Sequence, residues 1–358
     1  MPLKKLRQQI DKLDEKILEI LNLRAKKVKE LSKIKKEKKI NVFQESRHKQ
    51  ILYRLFKKNK GPLKNEHIEN IYREIFSACL DIQKKLKIAY LGPEGTFTHQ
   101  AALKKFGRNL EFISCSNIQE VFNMVASQNV DLGVVPIENS IEGVITHTLD
   151  MFIDSDIKIC SEIILRISLC LLSKEKDIEK IKKIYSHPQV FVQAKVFLQE
   201  KLPDATLLSC DSTSLAAKLA TKEKNSACIG SEALASIYNL NVLEKNIQDY
   251  AHNVTRFLVI SLEDSQPTGN DKTSILFSLK DRVGALHDAL APFKRYQINL
   301  TKIESRPSRK RAWEYFFFVD FEGHRTQRKI KLALKELEKE CLFLKILGSY
   351  PKEIEKYV

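Results

Sequence analysis

A hydroxyl and a guanidinium stand side by side late in the chain. Thr255 and Arg256 follow Asn253-Val254 and lead into the apolar run Phe257-Leu258-Val259-Ile260. An arginine can hold a carboxylate through two parallel hydrogen bonds. A threonine hydroxyl can donate a proton to a departing hydroxyl, or orient it. A polar segment that opens a buried strand indicates either an active site or a turn with a capping arginine. Taken alone, this motif favours the turn.

Polar residues also follow three other strands that the pattern predicts. They are Glu138-Asn139, Ser186-His187-Pro188-Gln189 and Asp211-Ser212-Thr213. Any one of them is most simply a cap or a turn, and His187 before Pro188 is the plainest case. Together they predict a cleft at the ends of strands. A non-catalytic ligand-binding protein would present the same polar cleft, so that class stays open.

Charged residues also stand on a long amphipathic helix near the start of the chain. Its apolar residues recur every three or four positions up to about Lys39, and they include Leu6, Ile10, Leu13, Ile17, Leu31 and Ile34. Arg24 lies on this apolar face, with Arg7 and Lys35 beside it. A buried charge is unfavourable unless it meets an anion. Arg7 and Arg24 are about 25 Å apart along a helix. One chain therefore cannot bring both to one small ligand, although an antiparallel partner helix could. The alternative is a solvated edge, which is the better interpretation of Arg7 alone.

Composition narrows the class of protein. The chain has 358 residues, enough for two or three domains. Its net charge of +16 is mostly lysine interleaved with glutamate and lacks stacking aromatic residues, so nucleic-acid binding is not predicted. Seven scattered cysteines without a CxxC pair favour a reducing compartment, the cytoplasm, over a zinc site. We expect no secretory signal and no membrane span. No phosphate-binding loop or Ser-His-Asp order is evident.

Three regions of different pattern must position these residues. Residues 1–86 look wholly helical, with helices to about Lys39, over 44–59 and over 65–86. Helices of such unequal length share little surface, so pairing with a second copy is predicted. Residues 87–265 alternate short strands, polar turns and helices, which is an α/β pattern.

A linker-like segment, residues 266–271, precedes a third region over 272–350 with the order β-α-β-β-α-β, typical of a ferredoxin-like fold. The elements we predict in it are the strands Thr273–Leu279, Leu300–Ser305, Trp313–Phe321 and Leu342–Leu347, and the helices Ala285–Arg295 and Arg325–Glu340. This region also contains two polar motifs. Taken alone, Gly284-Ala285-Leu286-His287 predicts a loop, and Glu304-Ser305-Arg306-Pro307 predicts the end of a strand.

The order of motifs resembles one family over nearly the whole chain, the bifunctional chorismate mutase–prephenate dehydratases of phenylalanine biosynthesis. The matching motifs are Gly92-Pro93-x-Gly95-Thr96, Val135-Pro136-Ile137-Glu138-Asn139, Ser186-His187-Pro188-Gln189, Asn253-x-Thr255-Arg256-Phe257 and Glu304-Ser305-Arg306-Pro307. The resemblance implies a multidomain chain. Residues 1–86 would form an all-α, dimeric mutase domain, 87–265 a two-lobed α/β dehydratase domain, and 272–350 a ferredoxin-like ACT regulatory domain. It also implies chorismate and prephenate as substrates, phenylalanine as an inhibitor, a homodimer or larger assembly, and no metal or organic cofactor.

For the mutase, the resemblance implies a set of cations around a dianion. The reaction is a rearrangement without a covalent intermediate, so the enzyme must hold a compact substrate and stabilise charge on the breaking ether oxygen. By resemblance, Arg7 of a partner chain, Arg24 and Arg47 clamp the carboxylates. Lys35 and Gln83 address the ether oxygen.

Three mutase positions depart from the family pattern. His48 replaces a glutamate that takes the substrate hydroxyl, Gln44 replaces an aspartate, and Cys79 replaces a serine. His48 can still form a hydrogen bond with a hydroxyl. The departures leave open an alternative in which the helical region is mainly a dimerisation module with impaired mutase activity.

For the dehydratase, the resemblance makes Thr255 the group that protonates or orients the departing hydroxyl. Arg256 lies beside it as a substrate-binding residue. The cleft would be lined by Glu138, Asn139, Ser186, Gln193, Asp211 and Thr213. In the third region, the two polar motifs would hold phenylalanine where two ACT domains meet. His287 stands where the family has valine. We expect this polar side chain to weaken inhibition, unless it faces solvent and changes nothing.

Overall fold

The computed structural model describes residues 3–38, 40–307 and 315–353. The chain divides into two compact units, one of Met1–Leu86 with Phe106–Glu111 and one of Lys87–Lys105 with Phe112–Val358. In the described part of the chain, no helix combines the length and apolar character that a membrane crossing requires.

The smaller unit contains three helices, α1 (Leu3–Glu37), α2 (Glu45–Lys58) and α3 (Asn65–Gln83). Helix α1 ends slightly before the predicted Lys39, which lies outside the described residues. None of the residues of α1 is buried, although its apolar side chains follow the predicted spacing. Ile10 and Ile17, for example, are each 55% exposed. An apolar stripe of this length is typical of an interaction surface.

The larger unit begins with a six-stranded sheet, which we call the first sheet. Its strands lie in the order β2-β1-β3-β11-β5, with β4 paired to β3. The elements of this part are β1 (Lys87–Leu91), α4 (Phe97–Phe106), β2 (Glu111–Cys115), α5 (Ile118–Ala126), β3 (Leu132–Asn139), β4 (Gly143–Val144), α6 (Thr146–Asp154), β5 (Lys158–Arg166) and the later strand β11 (Val254–Ser261).

Strand β3 is longer than the sequence predicts. The sequence pattern predicts that Glu138 and Asn139 follow the strand, but the strand continues to Asn139 because β11 and β4 pair with it on its two sides. Pro136 lacks an N–H group, and the register shifts beside it, where Phe257 pairs with Pro136 and Arg256 with Glu138. Glu138 and Asn139 therefore lie within a strand rather than in a turn.

A second, five-stranded sheet is inserted between β5 and β11, in the order β10-β6-β9-β7-β8. Its elements are β6 (Cys170–Ser173), a short 3₁₀ turn (Ile178–Lys180), β7 (Lys183–Ser186), α7 (Pro188–Gln193), α8 (Lys195–Lys201), β8 (Thr206–Ser209), α9 (Thr213–Ala220), β9 (Ser226–Gly230), α10 (Ala233–Tyr238) and β10 (Asn241–Lys245). The alternation of strand, polar turn and helix that the sequence predicts is present in both sheets.

The third sheet is antiparallel, in the order β13-β14-β12-β15. Its elements are β12 (Asp271–Leu279), α11 (Ala285–Arg295), β13 (Leu300–Pro307), β14 (Tyr315–Glu322), α12 (Arg328–Glu340) and β15 (Cys341–Pro351). The predicted strand start at Trp313 lies outside the described residues. Helix α12 starts later than the predicted Arg325 because a turn precedes it, in which the N–H of Gln327 donates to the carbonyl of His324.

Both faces of the third sheet are covered. On one face, Phe277 and Phe321 pack in a core with Phe293 of α11 and Leu337 of α12. On the other face, side chains of the third sheet share a core with those of the first sheet and of α5 and α6; its members include Phe122, Phe152, Leu258, Leu276, Phe318 and Tyr350. A Cβ on Gly348 would lie 2.2 Å from the carbonyl oxygen of Ile159. Only glycine therefore lets β15 approach β5 this closely.

Candidate active site

A cavity of about 260 Å³ is lined by elements of both the first and the second sheet. Strands β3 and β11 contribute one wall, and the starts of α4, α7 and α9 contribute others. Five predicted cleft residues line this cavity, namely Asn139, Gln193, Asp211, Thr213 and Thr255. The structure therefore brings together residues that are more than a hundred positions apart in sequence.

Thr255 lies in β11, the strand between β3 and β5, and only 8% of the residue is exposed. It pairs with Asn139 of β3 and with Leu165 of β5. Its Oγ1 accepts a hydrogen bond of 2.8 Å from Nδ2 of Asn139. An amide nitrogen only donates, so the proton of the Thr255 hydroxyl remains available for an acceptor in the cavity.

A chain of side-chain hydrogen bonds fixes Asn139. Its Oδ1 accepts from the N–H groups of Ile141 and Glu142 at 2.9 and 3.1 Å, which sets the orientation of the amide. Its Nδ2 therefore faces Thr255 and also donates to Oδ1 of Asn253 at 2.8 Å. Nδ2 of Asn253 donates to Oε1 of Gln193 at 2.8 Å, and Nε2 of Gln193 donates to Oε1 of Glu142 at 2.6 Å.

Two residues of this series of hydrogen bonds, Asn253 and Glu142, were not assigned to the site from the sequence. Asn253, which is fully buried, was quoted only as the first residue of the motif around Thr255. Glu142 lines the cavity. It lies three residues after Asn139, and its position in the turn before β4 is the only signal that could have identified it.

No lysine or arginine is among the described residues that line the cavity. Its wall instead includes the residues that open two helices, Thr96 before α4 and Ser212 before α9. Ser212 caps α9 by accepting from the N–H of Leu215 at 3.1 Å. Helix starts present N–H groups and a partial positive charge, both of which attract anions. The cavity can therefore receive carboxylates without a side-chain cation.

Arg256 does not reach the cavity, contrary to the sequence prediction. Successive side chains of a strand point to opposite faces, so Thr255 and Arg256 cannot both face the cavity. The Nε of Arg256 donates to Glu162 at 2.8 Å, its Nη1 to Asp320 at 2.6 Å, and its Nη2 to the hydroxyl of Tyr350 at 2.8 Å. Arg256 therefore faces the third sheet.

Glu138 and Ser186 also lie away from the cavity lining. The carboxylate of Glu138 is 2.8 Å from Nζ of Lys302 in β13, on the same side of the first sheet as Arg256. Ser186 is fully buried, and its Oγ donates to the carbonyl of Ile229 at 2.7 Å. Neighbouring residues of both motifs line the cavity, but the side chains of Glu138 and Ser186 contact other parts of the protein instead.

The Arg256–Asp320 pair is ionised in the folded protein. Burial alone would lower the pKa of Arg256, but the charge of Asp320 and the neighbouring Tyr350 and Glu162 raise this pKa well above its usual value. Burial alone would raise the pKa of Asp320, but the charge of Arg256 and a hydrogen bond from Ser274 lower it. The pair therefore keeps its charges through the neutral range.

In the helical unit, Arg24, His48 and Cys79 come together around Phe76. Nη1 of Arg24 donates to Sγ of Cys79 at 2.7 Å, and the guanidinium lies 5.7 Å from the centre of the Phe76 ring. The ring of His48 stacks on Phe76 with their centres 4.3 Å apart. Sequence reasoning missed Phe76, which resembles any other apolar residue of α3.

Gln83 and Lys35 are partly enclosed in the same unit. Nε2 of Gln83 donates to the carbonyl of Cys79 at 3.1 Å, while its Oε1 is buried without a hydrogen-bond partner among the described residues. Nζ of Lys35 donates to the carbonyl of Val42 at 3.0 Å. Burial lowers the pKa of Lys35.

The remaining predicted mutase residues are less enclosed. Arg7 and Arg47 are exposed, on α1 and α2 respectively. Gln44 precedes α2, and its side chain forms no capping hydrogen bond with the helix.

The two predicted regulatory motifs lie in the third sheet and its first helix. Gly284 has a φ of +79° and precedes α11, so the Gly284–His287 motif spans a helix start. The side chain of His287 is 85% exposed and lies 3.1 Å from Asp288. The Glu304–Pro307 motif forms the last four residues of β13, which ends two residues later than the predicted Ser305. Nη2 of Arg306 in this motif lies 3.2 Å from Asp150 of α6.

No group of three His, Cys, Asp or Glu side chains suited to a metal ion occurs within the described ranges. The geometry instead presents a polar cavity with an available hydroxyl proton, a group of side chains around Phe76 in the helical unit that includes the partly buried Arg24, and a third sheet packed against the first. These features fit an enzyme that has candidate sites for small polar molecules in two of its parts.

Comparison with known proteins gives the particular family. Three family models match in succession: Chorismate mutase type II over residues 6–84, Prephenate dehydratase over residues 88–265, and ACT domain over residues 273–339. The bifunctional chorismate mutase/prephenate dehydratase of Aquifex aeolicus is 48% identical over 98% of both chains. The corresponding protein of Pseudomonas aeruginosa is 44% identical, again over 98% of both.

A solved structure extends the likeness to three dimensions. The prephenate dehydratase of Arthrobacter aurescens in complex with L-Phe is 32% identical, has a TM-score of 0.70, and covers 75% of this chain and 90% of its own. The chain belongs to the family of bifunctional chorismate mutase/prephenate dehydratases, which confirms the resemblance seen in its motifs.

Proposed function

We propose that the chain carries out two consecutive steps of phenylalanine biosynthesis at separate sites. The helical region rearranges chorismate to prephenate, and the cavity beside Thr255 converts prephenate to phenylpyruvate. The observation that carries the second assignment is the hydrogen bond from Asn139 to Thr255, because it leaves the hydroxyl proton of Thr255 directed to a substrate.

In the dehydratase step, the bond between the ring and the departing carboxylate breaks, and its electron pair enters the ring. At the same time the ring carbon–oxygen bond breaks and its electron pair goes to the oxygen, so carbon dioxide and hydroxide leave together. The hydroxide then takes up a proton from solvent and becomes water. Aromatisation drives the reaction, so the protein needs mainly to position the substrate and stabilise the departing hydroxyl. Thr255 donates to that hydroxyl, while Asn139, Gln193, Asp211 and Thr213 shape the cavity.

The carboxylates of prephenate are held without a side-chain cation. The starts of α4 and α9 supply N–H groups at the cavity wall, together with the hydroxyl of Ser212. This arrangement replaces the role that the sequence alone had suggested for Arg256. Glu138 and Ser186 support the fold around the cavity and do not contact the substrate.

In the mutase step, Arg24 and Arg47 hold carboxylates, and Lys35 with Gln83 faces the ether oxygen. His48 meets the substrate hydroxyl, and Gln44 and Cys79 complete the site. Arg7 comes from a second chain. The exposed apolar face of α1 supports this homodimer, since burying it requires a partner surface. The alternative of a mere dimerisation module is not favoured, because Arg24, His48 and Cys79 already come together in one chain.

The dehydratase part has two lobes, built on the first and the second sheet, with the active site between them. The third sheet, with its order β13-β14-β12-β15 and two helices on one face, is a ferredoxin-like ACT domain. Phenylalanine binds at its Gly284–His287 and Glu304–Pro307 motifs and inhibits the enzyme. The cysteines form no disulfide in the described part of the chain, and this supports a reducing compartment, the cytoplasm, as the place of action.

Purified protein supplied with chorismate, or with prephenate alone, tests the proposal. We expect phenylpyruvate from either substrate, measured against a blank without enzyme. Absence of phenylpyruvate from prephenate would refute the dehydratase assignment. Product from prephenate but not from chorismate would support the dimerisation alternative instead.

A further inference from the structure

A set of mostly buried charged side chains joins the first sheet to the third sheet, on the side opposite the cavity. We call it the interface charge set. Its members are the acids Glu138, Glu162 and Asp320 and the bases Arg256, Lys272 and Lys302. The side chains of Arg256 and Asp320 are each 11% exposed, and that of Glu162 is 1% exposed. Acids and bases are equal in number, so the buried charge is balanced.

Arg256 is the centre of this set. Two of its three hydrogen-bond partners, Asp320 of β14 and Tyr350 of β15, belong to the third sheet. Asp320 is in turn fixed by Ser274, whose hydroxyl donates to it at 2.5 Å. The remaining partner, Glu162 of the first sheet, also accepts from Lys272 of the third sheet at 3.1 Å. The guanidinium is therefore held mainly by residues outside the two sheets that line the cavity.

The set lies directly behind the reactive pair. Arg256 is the next residue after Thr255, and Glu138 immediately precedes Asn139. Both of these neighbours contact the third sheet, Arg256 through Asp320 and Glu138 through Lys302 at 2.8 Å. Adjacent Cα atoms are only about 3.8 Å apart. A displacement of the Arg256–Asp320 or the Glu138–Lys302 contact therefore also shifts Thr255 or Asn139, whose side chains form a hydrogen bond on the other face of the strands.

We propose that Arg256 is a positioning residue of the dehydratase site. Asp320 of the third sheet holds Thr255 in place through Arg256, and Lys302 of the same sheet holds Asn139 in place through Glu138. Arg256 does not line the cavity, and its three nitrogens are all occupied by partners behind the strand. The inference rests on the dehydratase function proposed above, and it adds the ACT sheet to the machinery that orients the catalytic threonine.

Three variants of the full-length protein test this positioning role. Tyr350→Phe removes one acceptor from Arg256, Asp320→Asn removes one charge, and Arg256→Lys keeps the charge but loses the planar fork. Misplacement of a reacting group lowers the rate of the chemical step, so we expect kcat for prephenate to fall about threefold for Tyr350→Phe and about tenfold or more for the other two. KM should change by less than about twofold, since no contact with the substrate is lost.

Glu322→Gln is the matched control. It breaks the ion pair of Glu322 with Lys352, which lies at the rim of the same sheet, two residues from Asp320. This variant should keep the kcat and KM of the wild type. Melting curves of all variants show whether each protein is folded.

Two results would overturn the inference. A tenfold rise in KM with kcat retained in Arg256→Lys would identify Arg256 as a substrate ligand. Full kcat in folded Asp320→Asn and Tyr350→Phe would make the charge set purely structural, and Tyr350→Phe decides alone if Asp320→Asn does not fold. Thr255→Ala separates this failure from that of the proposed function. If Thr255→Ala keeps full turnover, the dehydratase site itself is misassigned.

Discussion

Replacing Asn253 by aspartate should make dehydratase activity depend on pH in a way that the wild type does not. Asn253 is fully buried, accepts from Asn139 and donates to Gln193. In Asn253→Asp, the ionised carboxylate still accepts from Asn139 but offers no donor to Gln193. Its second oxygen then faces Oε1 of Gln193, so the bond of 2.8 Å becomes a repulsion.

The expected loss follows from this one contact. A buried polar atom that loses its partner costs about 1–3 kcal/mol. If that strain is relieved by displacing Gln193 and Asn139, kcat/KM falls by about 5- to 150-fold, at 1.4 kcal/mol per factor of ten. Burial without a cation raises the pKa of an aspartate from its usual value of about 3.9, by up to about 3 units.

The protonated carboxyl restores the missing donor. Because its folded pKa is raised, the carboxyl regains its proton as the pH falls through about 6–7, and its O–H can then donate to Gln193. The ratio of variant to wild-type kcat/KM should therefore rise as the pH is lowered from 8 towards 5. The assay is phenylpyruvate formation from prephenate, corrected at each pH for the reaction without enzyme.

Asn253→Ala serves as the control, because alanine supplies no donor at any pH and its ratio to the wild type should stay flat. A flat ratio for Asn253→Asp as well, or full activity in both variants, would show that the hydrogen-bond chain through Asn253 does not position the site.

Three further outcomes test the other parts of the account. Arg24→Ala should abolish prephenate formation from chorismate and leave phenylpyruvate formation from prephenate intact; parallel loss of both would contradict separate sites. Ile10→Glu, on the exposed face of α1, should halve the mass seen by light scattering and remove mutase activity, whereas an unchanged mass would exclude that face as the dimer contact. His287→Val should lower the phenylalanine concentration that half-inhibits the dehydratase by several-fold, and equal sensitivity in the two proteins would mean that His287 only faces solvent.

Much of the dehydratase site could be predicted from sequence. The alternation of apolar runs with polar turns located the strands and helices of the second region, and Asn139, Asp211 and Thr213 from its polar segments line the cavity. The family resemblance added Gln193, which lines the same cavity. Such prediction works because polar turns at strand ends share one edge of a sheet. Arg256 and Glu138, which the family resemblance placed in the cleft, lie outside the cavity lining.

The failure has a local cause. Strand β11 begins at Val254 and β3 continues to Asn139, so the alternation of strand faces already applies at these motifs. Thr255 and Asn139 then face the cavity, and Arg256 and Glu138 must face away. The partners of Arg256, in β14 and β15, are separated from it by tens of residues, so no local sequence pattern could predict these contacts.

The central claim is that one chain holds two active sites that act in sequence, with Thr255 serving only the second. Chorismate supplied as sole substrate to the Thr255→Ala variant tests this most directly, with chorismate, prephenate and phenylpyruvate followed together. We expect chorismate to disappear at the wild-type rate while prephenate accumulates and phenylpyruvate does not form. Continued formation of phenylpyruvate at the wild-type rate would contradict it.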